Sequence, residues 1–131
     1  MGNRAVITFD QTYNAPCIYL HWNGGRASVE GFLAAARALG LNYCAPGNEA
    51  ETMDRLAELL ATWFFNCNVG HNVYRYEYGA ADRDNYDNGV YLLNRDMTIG
   101  GRLFARNAEE IDLEKTEAIA EAITNTAPAF N

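Results

Sequence analysis

The sequence CIYLHWNGGRASVEGFLAAARALG, residues 17–40, decides the fold class of this chain. Its first six residues alternate between two faces and place Ile18, Leu20 and Trp22 on one of them, which is typical of a strand that covers a core. The polar turn NGGR follows at once and contains two adjacent glycines. The stretch therefore predicts a strand that ends abruptly and gives way to a different element.

That next element is predicted to be a helix. Apolar side chains recur at helical spacing from position 29 to position 39, with Ser28 as the predicted N-cap and Gly40 as the C-terminal stop. A second helix is predicted to begin at a capping-box-like pair, Asn48 and Glu51, and to end near Asn66. Two consecutive helices are not the strict strand–helix alternation of a parallel α/β fold.

Further strands are predicted on both sides of these helices. Residues 4–10 favour a strand, and their short connection to the strand at 17–22 predicts an antiparallel pair. Later strands are predicted at residues 73–78, 90–93 and 98–106, the last with a bulge at Gly100-Gly101, and a final helix is predicted from Asp112. The order ββ-αα-βββ-α predicts one α+β domain, residues 1–131, with a largely antiparallel sheet of about five strands packed against two to three helices.

Composition and charge narrow the function classes. A net charge of −7 on 131 residues repels phosphate backbones, so a nucleic-acid coat is not expected. No apolar run approaches the roughly 20 residues that span a bilayer, and the first residues lack a signal-peptide pattern, so we expect a cytoplasmic protein with no membrane partner. The three cysteines, Cys17, Cys44 and Cys67, are far apart and odd in number, which favours reduced thiols in the core.

The turn before the first helix is a candidate anion site. Backbone N–H groups at a helix start attract anions, paired glycines allow close approach, and an arginine adds a planar fork. The predicted ligand-binding residues of this turn are His21, Asn23, Gly24, Gly25, Arg26 and Ser28. The favoured interpretation is a strand-to-helix turn whose glycines serve the backbone alone, and the alternative is a site for a nucleotide-like small ligand. Neither phosphate-loop nor dinucleotide motif is present, so no cofactor is expected.

Tyr74, Tyr76 and Tyr78 alternate along one predicted strand. Three large aromatic side chains on one face favour packing at the edge of the core. Two alternatives remain open at this point. The tyrosines could form an exposed face that stacks a base or a partner protein, in which case Tyr74 and Tyr76 join the ligand site. The strand could also form a homodimer edge.

Acidic side chains suggest a second kind of contact, with a host protein or protein complex that carries a basic surface. The predicted partner-binding residues lie on the second helix and in the following polar loop: Glu49, Glu51, Asp54, Glu58, Asp82, Asp84 and Asp87. A further acidic segment covers residues 109–121. The aspartates of the loop lack the spacing of an EF-hand, so a calcium site is not expected there.

Support for catalysis is thin. Cys67 and His71 are four residues apart, while Cys17 and His21 would be separated by about 13 Å along a strand, too far for a histidine to activate a thiol. With two histidines and scattered cysteines, no metal-ligand cluster is expected. A non-enzymatic protein is therefore favoured over a hydrolase or transferase that uses His21 or the Cys67/His71 pair.

Four segments of the chain carry a resemblance. GNRAVITF at residues 2–9, IYLHWNGGR at 18–26, SVEGFL at 28–33 and DNGVYL at 87–92 resemble a set of small proteins from phages, plasmids and other bacterial mobile elements. The resemblance brings no catalytic residues. It implies a genomic neighbourhood in which compact acidic proteins antagonise host defence, as anti-CRISPR proteins do. It therefore implies an inhibitor of a host defence complex or a protein that sequesters a signalling nucleotide.

Overall fold

A computed structural model describes residues 3–67, 71–106 and 111–130 of the chain. Its elements are, in order, β1 (Ala5–Thr8), β2 (Pro16–Leu20), α1 (Arg26–Ala38), α2 (Glu49–Asn66), β3 (Val73–Glu77), a 3₁₀ turn (Tyr78–Ala80), β4 (Val90–Leu93), β5 (Ile99–Leu103) and α3 (Leu113–Thr124). The predicted order ββ-αα-βββ-α and the α+β class are confirmed.

The strands form one five-stranded sheet in the order β3-β2-β1-β4-β5. β1 and β4 pair in parallel, and the other three pairs are antiparallel. The predicted antiparallel pairing of the first two strands is confirmed, because the connection after β1 is short enough for a hairpin. In β5, Gly100 has no partner where Leu92 faces Gly101 and Leu93 faces Ile99, so the predicted bulge is also confirmed.

One face of the sheet is buried under the helices. Ile7, Ile18 and Leu20 belong to this face and share one core with side chains of α1 and α2, among them Phe32 and Leu60. α2 lies against β2 and β3, and α3 lies against α1. The alternation of β2 and the helical spacing of α1 therefore bury the residues that their periods predict.

α1 and α3 approach each other closely at Gly31. A Cβ atom at this position would lie 2.9 Å from the Cβ of Ile119 and 3.0 Å from the carbonyl oxygen of Thr116. The Thr116 hydroxyl also donates a hydrogen bond to the carbonyl oxygen of Ala27 at 2.8 Å. Since the missing side chain lets the helices meet, the first turns of α1 and α3 become neighbours.

The chain between β3 and β4, residues 78–89, crosses the other face of the sheet. β3 is an edge strand and β4 lies beyond β1, so this connection passes over β2 and β1. We call it the crossing loop. Its first residue, Tyr78, is buried against this face of the sheet. A second, smaller core forms there from Val6, Ala15, Cys17, Tyr78, Ala81 and Val90.

Asn85 holds the end of the crossing loop. Its amide nitrogen donates to the carbonyl oxygens of Asp82 and Gly89 at 3.0 and 3.2 Å. Its amide oxygen accepts the N–H groups of Asp87 and Gly89 at 3.2 and 3.0 Å. Gly89 has a φ of 63°, and a Cβ atom there would lie 2.0 Å from a backbone oxygen of β5. Asn88 and Gly89 thus close a long connection that leads from the edge strand β3 into β4.

The predicted helix caps need correction. α1 begins at Arg26 with Gly25 as its N-cap, so Ser28 lies inside the first turn. The extended backbone of Gly25 supplies the carbonyl oxygen that accepts the N–H of Val29 at 2.9 Å, and no capping side chain is involved. Asn48 is the N-cap of α2 as predicted, but its side chain forms no capping hydrogen bond.

Other predicted burials are also wrong. β2 ends at Leu20, so Trp22 lies in the following turn and is exposed rather than part of the core face. Leu113, which helical spacing would place on one face with Ile119 and Ile123, is exposed at the first residue of α3. Cys67 is exposed because it follows the last residue of α2, whereas Cys17 and Cys44 are buried; all three thiols are free, as expected.

Candidate binding surfaces

The crossing loop leaves one corner of its sheet face uncovered. Tyr19 and Tyr74 face each other across β2 and β3, and Tyr76 faces Cys17, so these side chains share the face opposite the helices. We define the aromatic corner as Tyr19, His21, Trp22, Tyr74 and Tyr76. Trp22, Tyr74 and Tyr76 are 41%, 37% and 44% exposed. The corner is therefore an aromatic surface that the described part of the chain leaves partly exposed.

The rings of the aromatic corner contact one another. The Tyr74 and Tyr76 rings are stacked with centroids 6.4 Å apart, and Tyr19 lies 6.1 Å and 6.2 Å from them. His21 meets Trp22 edge-on at 5.0 Å, and its Nδ1 lies 3.4 Å from the Tyr19 hydroxyl. Such contacts order the rings before any partner arrives, which lowers the entropy lost on binding.

Asn72 fixes the position of this corner, and the sequence analysis missed it. Its buried amide accepts the N–H of Trp22 at 2.5 Å and donates to the Trp22 carbonyl oxygen at 3.0 Å. The His21 N–H donates to the Asn72 carbonyl oxygen at 3.1 Å. These bonds continue the pairing of β2 and β3 beyond Leu20 and hold His21 and Trp22 beside Asn72. An asparagine directly before a strand was the only available signal.

The glycines of the 23–26 turn serve the backbone. The Gly24 N–H donates to the carbonyl oxygen of Asn3 at 2.8 Å, and a Cβ atom on Gly24 would lie 2.6 Å from the Cβ of Ala5. The Gly24 carbonyl oxygen accepts the Tyr91 hydroxyl at 2.6 Å. Gly24 is therefore packed against β1, and its N–H is not available to a ligand.

Asn23 and Ser28 point to a different place. Both line a cavity of about 170 Å³ between the start of α1, the end of α2 and the first turn of α3. Its walls include Trp63, Phe64 and the side chain of Lys115. We call it the α1 cavity. The predicted ligand residues are thus divided between two sites. His21, Tyr74 and Tyr76 lie in the aromatic corner, and Asn23 and Ser28 lie at the α1 cavity. Gly24 packs against β1, Gly25 is the N-cap of α1 and Arg26 is its first residue.

Most of the predicted acidic contact residues are paired with arginines. Glu49 lies 2.6 Å from Arg95, Glu51 3.2 Å from Arg55, Asp54 2.8 Å from Arg75, Asp82 3.9 Å from Arg4, Asp84 2.7 Å from Arg106 and Asp87 2.7 Å from Arg4. Glu58 is exposed on α2, and Glu109 and Glu110 lie outside the described residues. Because most of these carboxylates lie beside an arginine, the surfaces that carry them have charges of both signs rather than negative charge alone.

Two carboxyl groups show the effect of this pairing. The hydrogen bond from Arg95 lowers the pKa of Glu49. Burial by itself raises the pKa of Asp87, but the hydrogen bonds and charge of Arg4 outweigh burial and leave that pKa lowered. The pKa of Tyr19 is shifted upward instead. Burial raises it most, and the nearby charge of Asp82 raises it further. The Tyr19 phenol therefore keeps its proton at neutral pH.

The candidate catalytic residues form no constellation in the described ranges. Cys67 and His71 are both exposed, and no hydrogen bond joins them there. His21 contacts the rings of Tyr19 and Trp22, and within the described ranges no carboxylate bonds to it. Across the same ranges, no three histidine, cysteine or carboxylate side chains come together as metal ligands.

No family model, curated protein or solved structure matches this chain. Among the residues described, none of the helices is both long and apolar enough to cross a bilayer. The aromatic corner and the α1 cavity are therefore the features of the described residues that bear on function.

Proposed function

We propose that this chain is a non-enzymatic interaction protein that binds another protein through the aromatic corner. The observation that carries the proposal is a set of preordered, partly exposed rings on a sheet face that the chain covers elsewhere. Tyrosine and tryptophan are the side chains most enriched at the energetic centres of protein interfaces. Each offers a large contact area with few rotatable bonds.

The acidic faces support the same function less directly. Their carboxylates already contact arginines, so a basic partner would have to compete with internal ion pairs. Exposed charge pairs steer association and contribute little affinity at physiological salt. We therefore assign the affinity to the aromatic corner, with Asp82 and Asp87 of the crossing loop, whose charges act on the Tyr19 phenol, as contributors to orientation.

A narrower hypothesis concerns the kind of partner that this chain binds. An inhibitor of a host defence complex is what the resemblance to mobile-element proteins implies, and it stays a prediction that rests on that resemblance. A protein partner with an apolar patch bordered by basic residues would fit both the aromatic corner and the nearby carboxylates.

The test is a quantitative pull-down from a bacterial lysate with purified chain as bait. We expect a partner retained by the natural chain in both low salt and about 0.5 M salt, since apolar contacts are not screened. Tyr74→Ala combined with Tyr76→Ala should abolish retention. Tyr43→Ala, which removes an exposed tyrosine far from this pairing of β2 and β3, is the matched control and should bind normally.

Two outcomes would overturn the assignment. Retention that survives the double tyrosine change but disappears in high salt would place the contact on the acidic faces. Retention that neither the double change nor salt alters would place it elsewhere on the chain.

A further inference from the structure

The α1 cavity carries an inference independent of the aromatic corner. Its polar lining comes from Asn23, Ser28 and Lys115, and its apolar lining includes Trp63 and Phe64. Although the chain carries a net charge of −7, the described lining contains no carboxylate. Among the described residues, the lining of this cavity therefore includes a cationic side chain and no carboxylate.

Ser28 is the second feature that points to a ligand. The residue is 4% exposed and lines the cavity, yet no hydrogen bond of its hydroxyl is found anywhere in the described chain. The Ser28 oxygen is not among the buried side-chain atoms that lack a partner, so it is accessible and can bond a ligand or water in the cavity. Ser28 stands in the first turn of α1, where the backbone N–H groups also lack intrahelical acceptors.

Lys115 adds the charge. It stands in the first turn of α3, which the Gly31 crossing brings beside the first turn of α1. No ion pair of its ammonium group is found within the described ranges, whereas several arginines there are bound to carboxylates. A helix start, a free hydroxyl and an ammonium group together favour a carboxylate or another compact anion.

We propose that the α1 cavity binds a small organic acid, with its carboxylate toward Ser28 and Lys115 and its apolar body against Trp63 and Phe64. The volume of the cavity limits the class of ligand that it can hold. At about 170 Å³, it is smaller than the roughly 300–1,000 Å³ of sites that enclose drug-sized ligands, so a whole nucleotide does not fit inside. This ligand class differs from the nucleotide-like ligand that is the alternative for the turn alone.

Cys67 makes the proposal testable, because it lines the same cavity and is the exposed cysteine, while Cys17 and Cys44 are buried. The probe is phenylacetate, which joins a carboxylate to a flat apolar ring. The measurement is the rate at which a thiol-reactive dye labels Cys67, followed as phenylacetate is added. Cys67→Ser gives the background rate from the buried thiols.

We expect phenylacetate at about 10 mM to slow labelling several-fold, as for a ligand of millimolar affinity. Benzyl alcohol, which lacks the charge, and inorganic phosphate, which lacks the ring, should protect much less. Ser28→Ala and Lys115→Gln should each weaken the apparent affinity roughly tenfold. Arg55→Gln makes the same charge change on the opposite side of α2, where it lines another groove, and should leave protection unchanged.

Four results would contradict all or part of this proposal. Absence of protection in the natural chain would overturn the proposal without reference to any variant. Equal protection by benzyl alcohol would remove the carboxylate from it, and equal protection by phosphate would remove the apolar body. Equal protection in natural, Ser28→Ala and Lys115→Gln chains would show that phenylacetate binds elsewhere. None of these results tests the aromatic corner, because Cys67 is not part of it.

Discussion

The two halves of the sheet face opposite the helices differ in how they are covered. Over β1, β4 and Cys17 of β2, the crossing loop forms a small core in which Tyr78 is 3% exposed, and hydrogen bonds of Asn85 and Asp87 hold the loop there. Over the rest of β2 and β3, the aromatic corner stays open, with Tyr76 44% exposed two residues before Tyr78. A tyrosine therefore supports the fold at position 78 and faces outward at position 76.

Strand order explains this difference. Because β3 lies at the edge and β4 lies beyond β1, the loop must cross diagonally from the end of β3 to the start of β4. A diagonal path covers one half of the face and leaves a corner of the other. We infer that changes in the covered half alter stability, while changes in the open half alter binding.

The largest effect is expected for Gly89→Ala. Gly89 has a positive φ, and a new Cβ atom would lie 2.0 Å from a carbonyl oxygen of β5. Backbone strain and overpacking together should lower the free energy of unfolding by roughly 3–5 kcal/mol. Urea unfolding measures it. Gly47→Ala is the matched control, because Gly47 also has a positive φ but no atom within 4 Å of the new Cβ. Equal losses in both variants would contradict the steric argument.

Asn85→Ala should have the next largest effect. The side chain is fully buried and makes four hydrogen bonds to backbone groups of the crossing loop. Removing it leaves several of those groups without partners, so we expect a loss of about 2–4 kcal/mol in the same unfolding measurement. Asn94→Ala removes an exposed amide hydrogen bond and is expected to lose less than about 1 kcal/mol. A loss no larger for Asn85→Ala would show that other contacts hold the loop.

Asp87→Asn tests the electrostatic fastening of the covered half. Asp87 accepts the Arg4 side chain at 2.7 Å and the Arg4 backbone N–H at 3.1 Å. Charge-assisted hydrogen bonds of this kind contribute about 1–3 kcal/mol. The control is Asp54→Asn, whose ion pair with Arg75 is mostly exposed and should contribute less than about 1 kcal/mol.

The Asp87 effect should depend on pH in a defined direction. The pKa of Asp87 is lowered in the folded chain, so its contribution to stability is present above the unfolded value of about 3.9. That contribution is lost as the pH falls through the folded pKa. The stabilities of natural and Asp87→Asn chains, measured by urea unfolding from about pH 6 downward, should therefore converge below about pH 4. A difference that stays constant into acid would show that the Asp87–Arg4 pair is not responsible.

The element order could be predicted from the sequence because it depends on local periodicity. The alternation of β2 and the apolar spacing of α2 bury the side chains that those periods select. The exposure of Tyr74 and Tyr76 could not be predicted in this way. It depends on the path of the crossing loop, which follows from the non-local pairing of β1 with β4.

The candidate site was only partly predictable for the same reason. Asn23 and Ser28 were selected for a helix start that could bind an anion, and both line the α1 cavity. Lys115 and Trp63 join them only because Gly31 lets α3 approach α1 and because α2 ends beside that crossing. Neither contact leaves a local pattern in the sequence. Asn72 and Asn85 were missed because a single buried amide has no period.

The smallest effect on stability is expected in the aromatic corner. Tyr76→Ala removes a partly exposed ring whose contacts are with Tyr19 and Tyr74, so the free energy of unfolding should fall by less than about 1 kcal/mol. The unfolding transition in urea measures this, and retention of the partner measures binding on the same preparation. Loss of binding at nearly unchanged stability is the result that the open half predicts. A loss of several kcal/mol would mean that Tyr76 supports the fold as Tyr78 does, and the distinction between the covered and open halves would then fail at its most exposed point.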